Sequence, residues 1–259
     1  MSATTPAPMP MSLPLPAALN GRTVVIVGGS SGIGLAAGAL LGSAGARVVL
    51  VARDQARLSA AVDQVRAGGG TAHGFAADGT DEADLDRVLD QVGSVDHALV
   101  TAGGFATGAL LDTPREQVGA AVDGRIWGAY AVARAAARRL PAGGSLTFSS
   151  GMYLTRPIPG ASASIAAIGA VEGLTKALAV ELAPLRLRVN AIRYGVVDTP
   201  LSRGGLGLAD DAQVAAAGQG SLIGRFGTAQ EAASAALFLM ANNFVTGTVL
   251  TVDGGQSLV

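Results

Sequence analysis

The sequence predicts an α/β fold: one domain on a doubly wound, seven-stranded parallel sheet with helices on both faces. Three observations carry that prediction. Short apolar runs alternate with segments of helical spacing along nearly the whole chain. The runs are continuously apolar rather than alternating, which marks strands buried on both faces. No repeat or linker divides the chain after residue 19, so its 259 residues read as one large domain.

Each element follows from local signals. "RTVVIVGG" (22–29) is an apolar strand ending in glycine, and "GIGLAAGALLGSAG" (32–45) is a helix stopped at Gly45. "ARVVLVA" (46–52) is the second strand, and 53–70 is a helix closed by three glycines. "TAHGFAAD" (71–78) is the third strand, followed by "TDEADLDRVLDQVG" (80–93), a helix with acidic residues in its first turn. "VDHALVTAG" (95–103) is the fourth strand, and 114–140 is a long Ala-rich helix with Pro114 at its first position. "GSLTFSS" (144–150) is the fifth strand, 160–184 a long helix and "LRVNAIR" (187–193) the sixth strand. A glycine-rich stretch (195–225) then leads to a helix, "TAQEAASAALFLMAN", and a last strand, "TVLTVDG". Residues 1–19, with four prolines before Leu15 and no basic leader, read as a disordered, extended tail and not as a secretory signal.

Composition narrows the function. Hydrophobic residues make up 49% of the chain, charged residues 14%, and the net charge is −1. That balance speaks against nucleic acid and against a basic membrane contact, and no apolar run reads as a bilayer span. There is no cysteine, so neither a disulfide framework nor a thiolate site is available. His73 and His97 have no ligand spacing around them, so no metal is expected. The partner is a small-molecule substrate, and the low charge with 37 glycines suits large buried surfaces, subunit contacts included.

The segment "VGGSSGIG" joins the first strand to the first helix. Gly28 permits a sharp turn, while Gly32 and Gly34 let a pyrophosphate approach the helix N-terminus, where free N–H groups favour anions.

The G-x-x-x-G-x-G spacing of that segment resembles the short-chain dehydrogenase/reductase family. So do "AAD" at Asp78, "TAGG" at Thr101–Gly104, "LRVNAIRYGVVDTP" and the C-terminal "GRFGTAQEAASAALFLMANNFVTGTVLTVDGG". The resemblance covers about residues 20–256 and implies a Rossmann fold and a nicotinamide cofactor. It implies cofactor contacts at Gly28, Ser30, Ser31, Gly32, Ile33 and Gly34, at Asp78 and Gly79, at Ala102 and Gly103, and at Gly195, Val197 and Thr199. The family's cofactor-selecting position is Ala52, with Arg53 beside it. An arginine there can pair with a 2′-phosphate, which points to NADP(H); the other reading of Arg53 is a solvated helix-start residue. The family's common dimers and tetramers imply a homodimer or homotetramer through the two long helices and the last strand, in the cytoplasm. The stretch 195–225 looks like the family's mobile substrate lid.

The family's proton relay is another matter. Its Tyr and Lys positions fall on Ser164 and Ile168, and its helix-four Asn position on Arg125. The serine survives as Ser150. No Tyr-x-x-x-Lys occurs, and Lys176 is the only lysine. Ser164 can hydrogen-bond but is a poor acid. Arg125 either replaces the lost lysine toward the nicotinamide ribose or an anionic substrate, or turns to a surface carboxylate. Candidate acids are Tyr153, Tyr194 and, more weakly, Tyr130. Three functions remain open: an NADPH-dependent oxidoreductase with a rearranged acid, a reductase of a substrate such as an iminium that needs no acid, and a non-catalytic NADP-binding protein.

Overall fold

A computed structural model describes residues 17–105 and 107–259. Seven strands, β1 (Thr23–Val27), β2 (Arg47–Ala52), β3 (Thr71–Ala76), β4 (His97–Val100), β5 (Ser145–Gly151), β6 (Arg188–Tyr194) and β7 (Val249–Val252), form one sheet. Their order is β3-β2-β1-β4-β5-β6-β7, and every pair is parallel. The chain winds outward from β1 in one direction and from β4 in the other. The crevice between the exits of β1 and β4 is therefore the topological switch point, where such sheets bind ligands.

Helices α1 (Gly32–Ser43), α2 (Gln55–Ala67), α3 (Glu82–Val92), α4 (Arg115–Ala137), α5 (Ser162–Glu181), α6 (Pro200–Leu206), α7 (Asp211–Gly218) and α8 (Ala229–Ala241) complete the chain. One core packs α1, α2 and α8 on one face of the sheet, around Ile26, Leu50 and Ile192. A second packs α3, α4 and α5 on the other, around Val27, Val100 and Phe148. Asp54, Asp81 and Thr228 start α2, α3 and α8 by accepting the amide three residues on.

Several expectations shift. Residues 1–16 of the expected tail lie outside the described residues, but Ala17–Leu19 form a 3-10 turn whose Leu19 is fully buried in the α1/α8 core. Pro114 caps α4 instead of occupying its first position, because its ψ of 154° is extended. The stretch 195–225 is partly helical: Thr199 and Ser202 form a capping box on α6, and Asp210 caps α7. α5 is also long and apolar enough to cross a membrane by length and composition, with a mean hydropathy of 1.5. It is instead a core helix, with Ala167, Ile168, Val171 and Thr175 buried and one side against α4 and β6.

At the far end of the sheet from the crevice, β4 carries a buried imidazole. His97 Nδ1 lies 2.8 Å from the Ser145 hydroxyl, directly across the β4–β5 ladder. Burial pushes the His97 pKa down to about 3, assisted by the nearby Arg188 charge.

Candidate active site

The crevice begins at three glycines without room for a side chain. A Cβ on Gly28 would stand 2.5 Å from the Ala102 amide nitrogen. A Cβ on Gly34 would collide with the Gly28 carbonyl oxygen and stand 2.5 Å from Thr101 Oγ1. One on Gly79 would strike the Val27 side chain. The exits of β1, β3 and β4 and the start of α1 thus close on one point. The Thr101 hydroxyl donates to Gly28 O at 3.1 Å, which ties the β4 exit to the β1 exit. Ser31 caps α1 with its backbone alone, and its side chain is exposed. The first-turn amides therefore still face outward, as an anion would need. Gly32 (φ 51°) sits against the Thr199 methyl, and Ile33 is half-buried behind it.

Arg53 is exposed just past β2 and has no carboxylate within ion-pair distance among the described residues. Its charge is felt by Asp78. Asp78 is held in place by the Thr80 amide and hydroxyl, at 2.9 and 2.8 Å, and these bonds keep its carboxyl below the usual range.

The exits of β5 and β6 are organised around a group that the sequence reading missed. Ser150, at the end of β5, donates its hydroxyl to Glu172 Oε1 at 2.6 Å. Glu172 in α5 is buried and gripped by Arg193 of β6, from Nε to Oε1 at 2.9 Å and from Nη2 to Oε2 at 2.7 Å. Its only sequence signal was a lone carboxylate on the inward stripe of an apolar helix. Ile168, one turn earlier, is buried with its Cδ1 3.5 Å from where a Gly151 Cβ would be. Phe105, also missed, packs its ring on Tyr153 with centroids 5.3 Å apart, tilted by 37°. Burial raises the Tyr153 phenol above its ordinary pKa, partly offset by Arg156, so it stays protonated at neutral pH.

Not every expected residue reaches the crevice. Tyr194 is corrected: β6 alternation turns it to the α1/α8 side, where it is 5% exposed and its hydroxyl has no hydrogen-bond partner. Burial drives its pKa further up, away from any acid's working range. Ser164 is fully buried in the first turn of α5, so it offers no accessible hydroxyl. Tyr130 lies on the exposed outer face of α4, edge-on to Trp127 at 6.3 Å. Arg125 is not drawn to a surface carboxylate: Nε donates to Gly104 O at 3.1 Å, and its guanidinium lies where a Cβ on Gly103 would come within 3.2 Å. Among the described residues it has no ion-pair partner. The Thr199 hydroxyl accepts the Ser202 amide of α6 at 3.3 Å. Gly195 lies too close to Asp253 and Gln256 for a side chain, and Val197 is buried beside Gly227. Over this end, Leu222 and Ile223 pack on Gly255 and Gly254, whose positive φ angles of 74° and 59° suit glycine.

Known proteins match this arrangement over nearly the full chain. Residues 27–257 fit a family model described as enoyl-(acyl carrier protein) reductase. Cyclopentanol dehydrogenase of Comamonas sp. (strain NCIMB 9872) is 33% identical over 248 residues, covering 92% of this chain and 98% of that protein. The solved structure of the MalC reductase/Diels-Alderase from Malbranchea aurantiaca is similar with a TM-score of 0.86 and 29% identity, covering 94% of this chain and 99% of that one. An actinorhodin polyketide ketoreductase solved with NADPH has a TM-score of 0.83 at 26% identity, covering 92% and 98%.

Proposed function

The chain belongs to the short-chain dehydrogenase/reductase family, and on that premise we propose that it is an NADP(H)-dependent oxidoreductase with a non-standard active site. Its substrate is a small organic molecule with a C=O or C=N group. It works in the cytoplasm as a homodimer or homotetramer, for which the exposed Trp127, Tyr130 and Val180 on α4 and α5 offer apolar faces.

One observation carries the reading: Gly28, Gly34 and Gly79 let the exits of β1, β3 and β4 and the first turn of α1 approach more closely than any side chain would allow, with Arg53 exposed past β2 and without an ion-pair partner among the described residues. The α1 amides with Ser30 and Ser31 would hold the pyrophosphate, Arg53 the 2′-phosphate, Asp78 and Gly79 the adenine, and Ala102, Gly103, Gly195, Val197 and Thr199 the nicotinamide half. The cofactor, once bound, supplies the hydride. Arg125 of α4, which reaches the β4 exit loop at Gly104 and has no ion-pair partner among the described residues, adds positive charge toward the nicotinamide ribose. Tyr153 is the accessible acid and Ser150 the polar contact for the substrate.

A second reading, a non-catalytic NADP-binding protein, is favoured by buried Ile168 and Ser164 where a relay would need polar reach. Calorimetric titration with NADPH and NADH, then a hydride-transfer screen, separates them. NADPH binding at least about tenfold tighter than NADH, with turnover, is the expected result. Binding without turnover selects the second reading. Absence of binding to either cofactor refutes both.

A further inference from the structure

We propose that the substrate's reacting group is a hydrogen-bond donor, a protonated imine in preference to a ketone, and that Glu172 sets this preference by holding Ser150 as an acceptor. The proposal rests on the assignment of Ser150 to the substrate side given above.

A serine hydroxyl has one hydrogen and two lone pairs. Here the hydrogen goes to Glu172 Oε1 at 2.6 Å. A carboxylate gripped by two arginine N–H groups accepts and does not donate, so the direction of that bond is fixed. What Ser150 keeps for a ligand is its lone pairs. A ketone oxygen also presents only lone pairs and would meet repulsion. The N–H of a protonated imine would complete the bond. The groups nearest Ser150 carry no net positive charge; Arg125 on Gly104 and Arg156 near Tyr153 are the cations that a protonated imine would have to avoid. Ile168 presents a methyl at this strand end, and the only lysine, Lys176, is exposed on α5. The Arg193 charge is neutralised by Glu172. The Phe105–Tyr153 pair adds aromatic faces of the kind that attract cations.

The chemistry closes without a proton relay. The carbon of the C=N bond gains a C–H bond from the hydride that reduced nicotinamide cofactor supplies. The π pair of C=N becomes the nitrogen lone pair, and the cofactor is left oxidised. A cationic imine becomes a neutral amine, so no group has to deliver a proton. A ketone would become an alkoxide and would need one. Glu172 touches no reacting atom and is a positioning residue.

The test pairs ligands of equal ring size. With NADP+ present, calorimetry compares pyrrolidine, which is protonated at neutral pH and donates, with cyclopentanone, which only accepts. The wild-type protein is expected to bind pyrrolidine at least about tenfold tighter, and Ser150→Ala to erase that difference. Glu172→Gln is expected to narrow it, because an amide turned toward Ser150 frees the hydroxyl to donate. Turnover of 1-pyrroline over cyclopentanone with NADPH should follow the same order. Tighter binding or faster turnover of the ketone overturns the proposal, as does an unchanged ratio in Ser150→Ala. That variant keeps the Glu172–Arg193 pair intact, so it decides the matter even where Glu172→Gln does not fold. Cofactor binding with a ketone preference defeats this proposal alone; loss of cofactor binding defeats the functional reading beneath it too.

Discussion

Gly34, in the first buried turn of α1, faces the Gly28 carbonyl with no space between them for a side chain, and Thr101 Oγ1 closes the gap from β4 at 2.5 Å from the Cβ position. Gly34→Ala should therefore push α1 off the β1 exit. We expect a loss of about 1–3 kcal/mol in denaturant unfolding, as for overpacked cores, together with NADPH affinity reduced at least about tenfold. Normal stability and normal affinity would show that the contact is not tight.

On the proposed reading Arg53 meets the cofactor's 2′-phosphate, being exposed and close enough to Asp78 to contribute to lowering its pKa. Arg53→Gln should weaken NADPH binding by roughly tenfold to a hundredfold, the worth of a charge-assisted bond, and leave NADH binding unchanged. Equal losses for both cofactors would make Arg53 a general structural residue.

Arg125 has two separable jobs. Its Nε–H holds Gly104, and its charge faces no carboxylate among the described residues. Arg125→Met keeps the length and removes both. We expect weaker NADPH binding by about tenfold, with a salt dependence shallower than that of the wild type. Arg125→Lys should recover part of the charge effect without the Gly104 bond.

Tyr153 is protonated at neutral pH, as an ordinary tyrosine is, and burial raises its phenol further. Tyr153→Phe keeps the ring on Phe105 and removes only the hydroxyl. Imine turnover should change by less than about threefold, while any residual ketone turnover should fall by about a hundredfold, the usual worth of a placed acid. An equal collapse of both would make Tyr153 a proton donor for every substrate.

His97 couples stability to pH. Its folded pKa is about 3 against an ordinary 6.5. Between those values the unfolded chain binds a proton that the folded protein refuses, so stability falls as pH drops through that window and is fully present above it. On the order of 2 kcal/mol should be lost by pH 5. His97→Val/Ser145→Ala removes the imidazole and its partner together. The gap between the two proteins' denaturation midpoints at pH 7 and pH 5 isolates this term from the carboxylates. Parallel curves would mean that His97 is reached by solvent.

Much of the fold was legible because its signals are local. Apolar runs, Asp54, Asp81 and Thr228 at helix starts, and Gly45 at a helix end each act within a few residues. The glycine-rich turn after β1 was legible for the same reason, since Gly28 and Gly32 take positive φ within it. Helices α6 and α7 were not, because they are short and owe their stability to caps and to Arg203, which bonds Asp198 and Asp211.

That no Tyr-x-x-x-Lys occurs in the chain is read from the sequence alone. Which side each candidate faces was decided by the sheet. Alternation along β6 turns Tyr194 into the α1/α8 core, and the same alternation turns Arg193 toward α5, where it meets Glu172. Ser150, Glu172 and Arg193 come from three elements, the last two 21 positions apart in the sequence. No periodicity within one element reports such a meeting. Hydrogen-bond direction is a property of the assembled trio: an arginine fixes a carboxylate, the carboxylate takes the serine's hydrogen, and only then is the serine left as an acceptor.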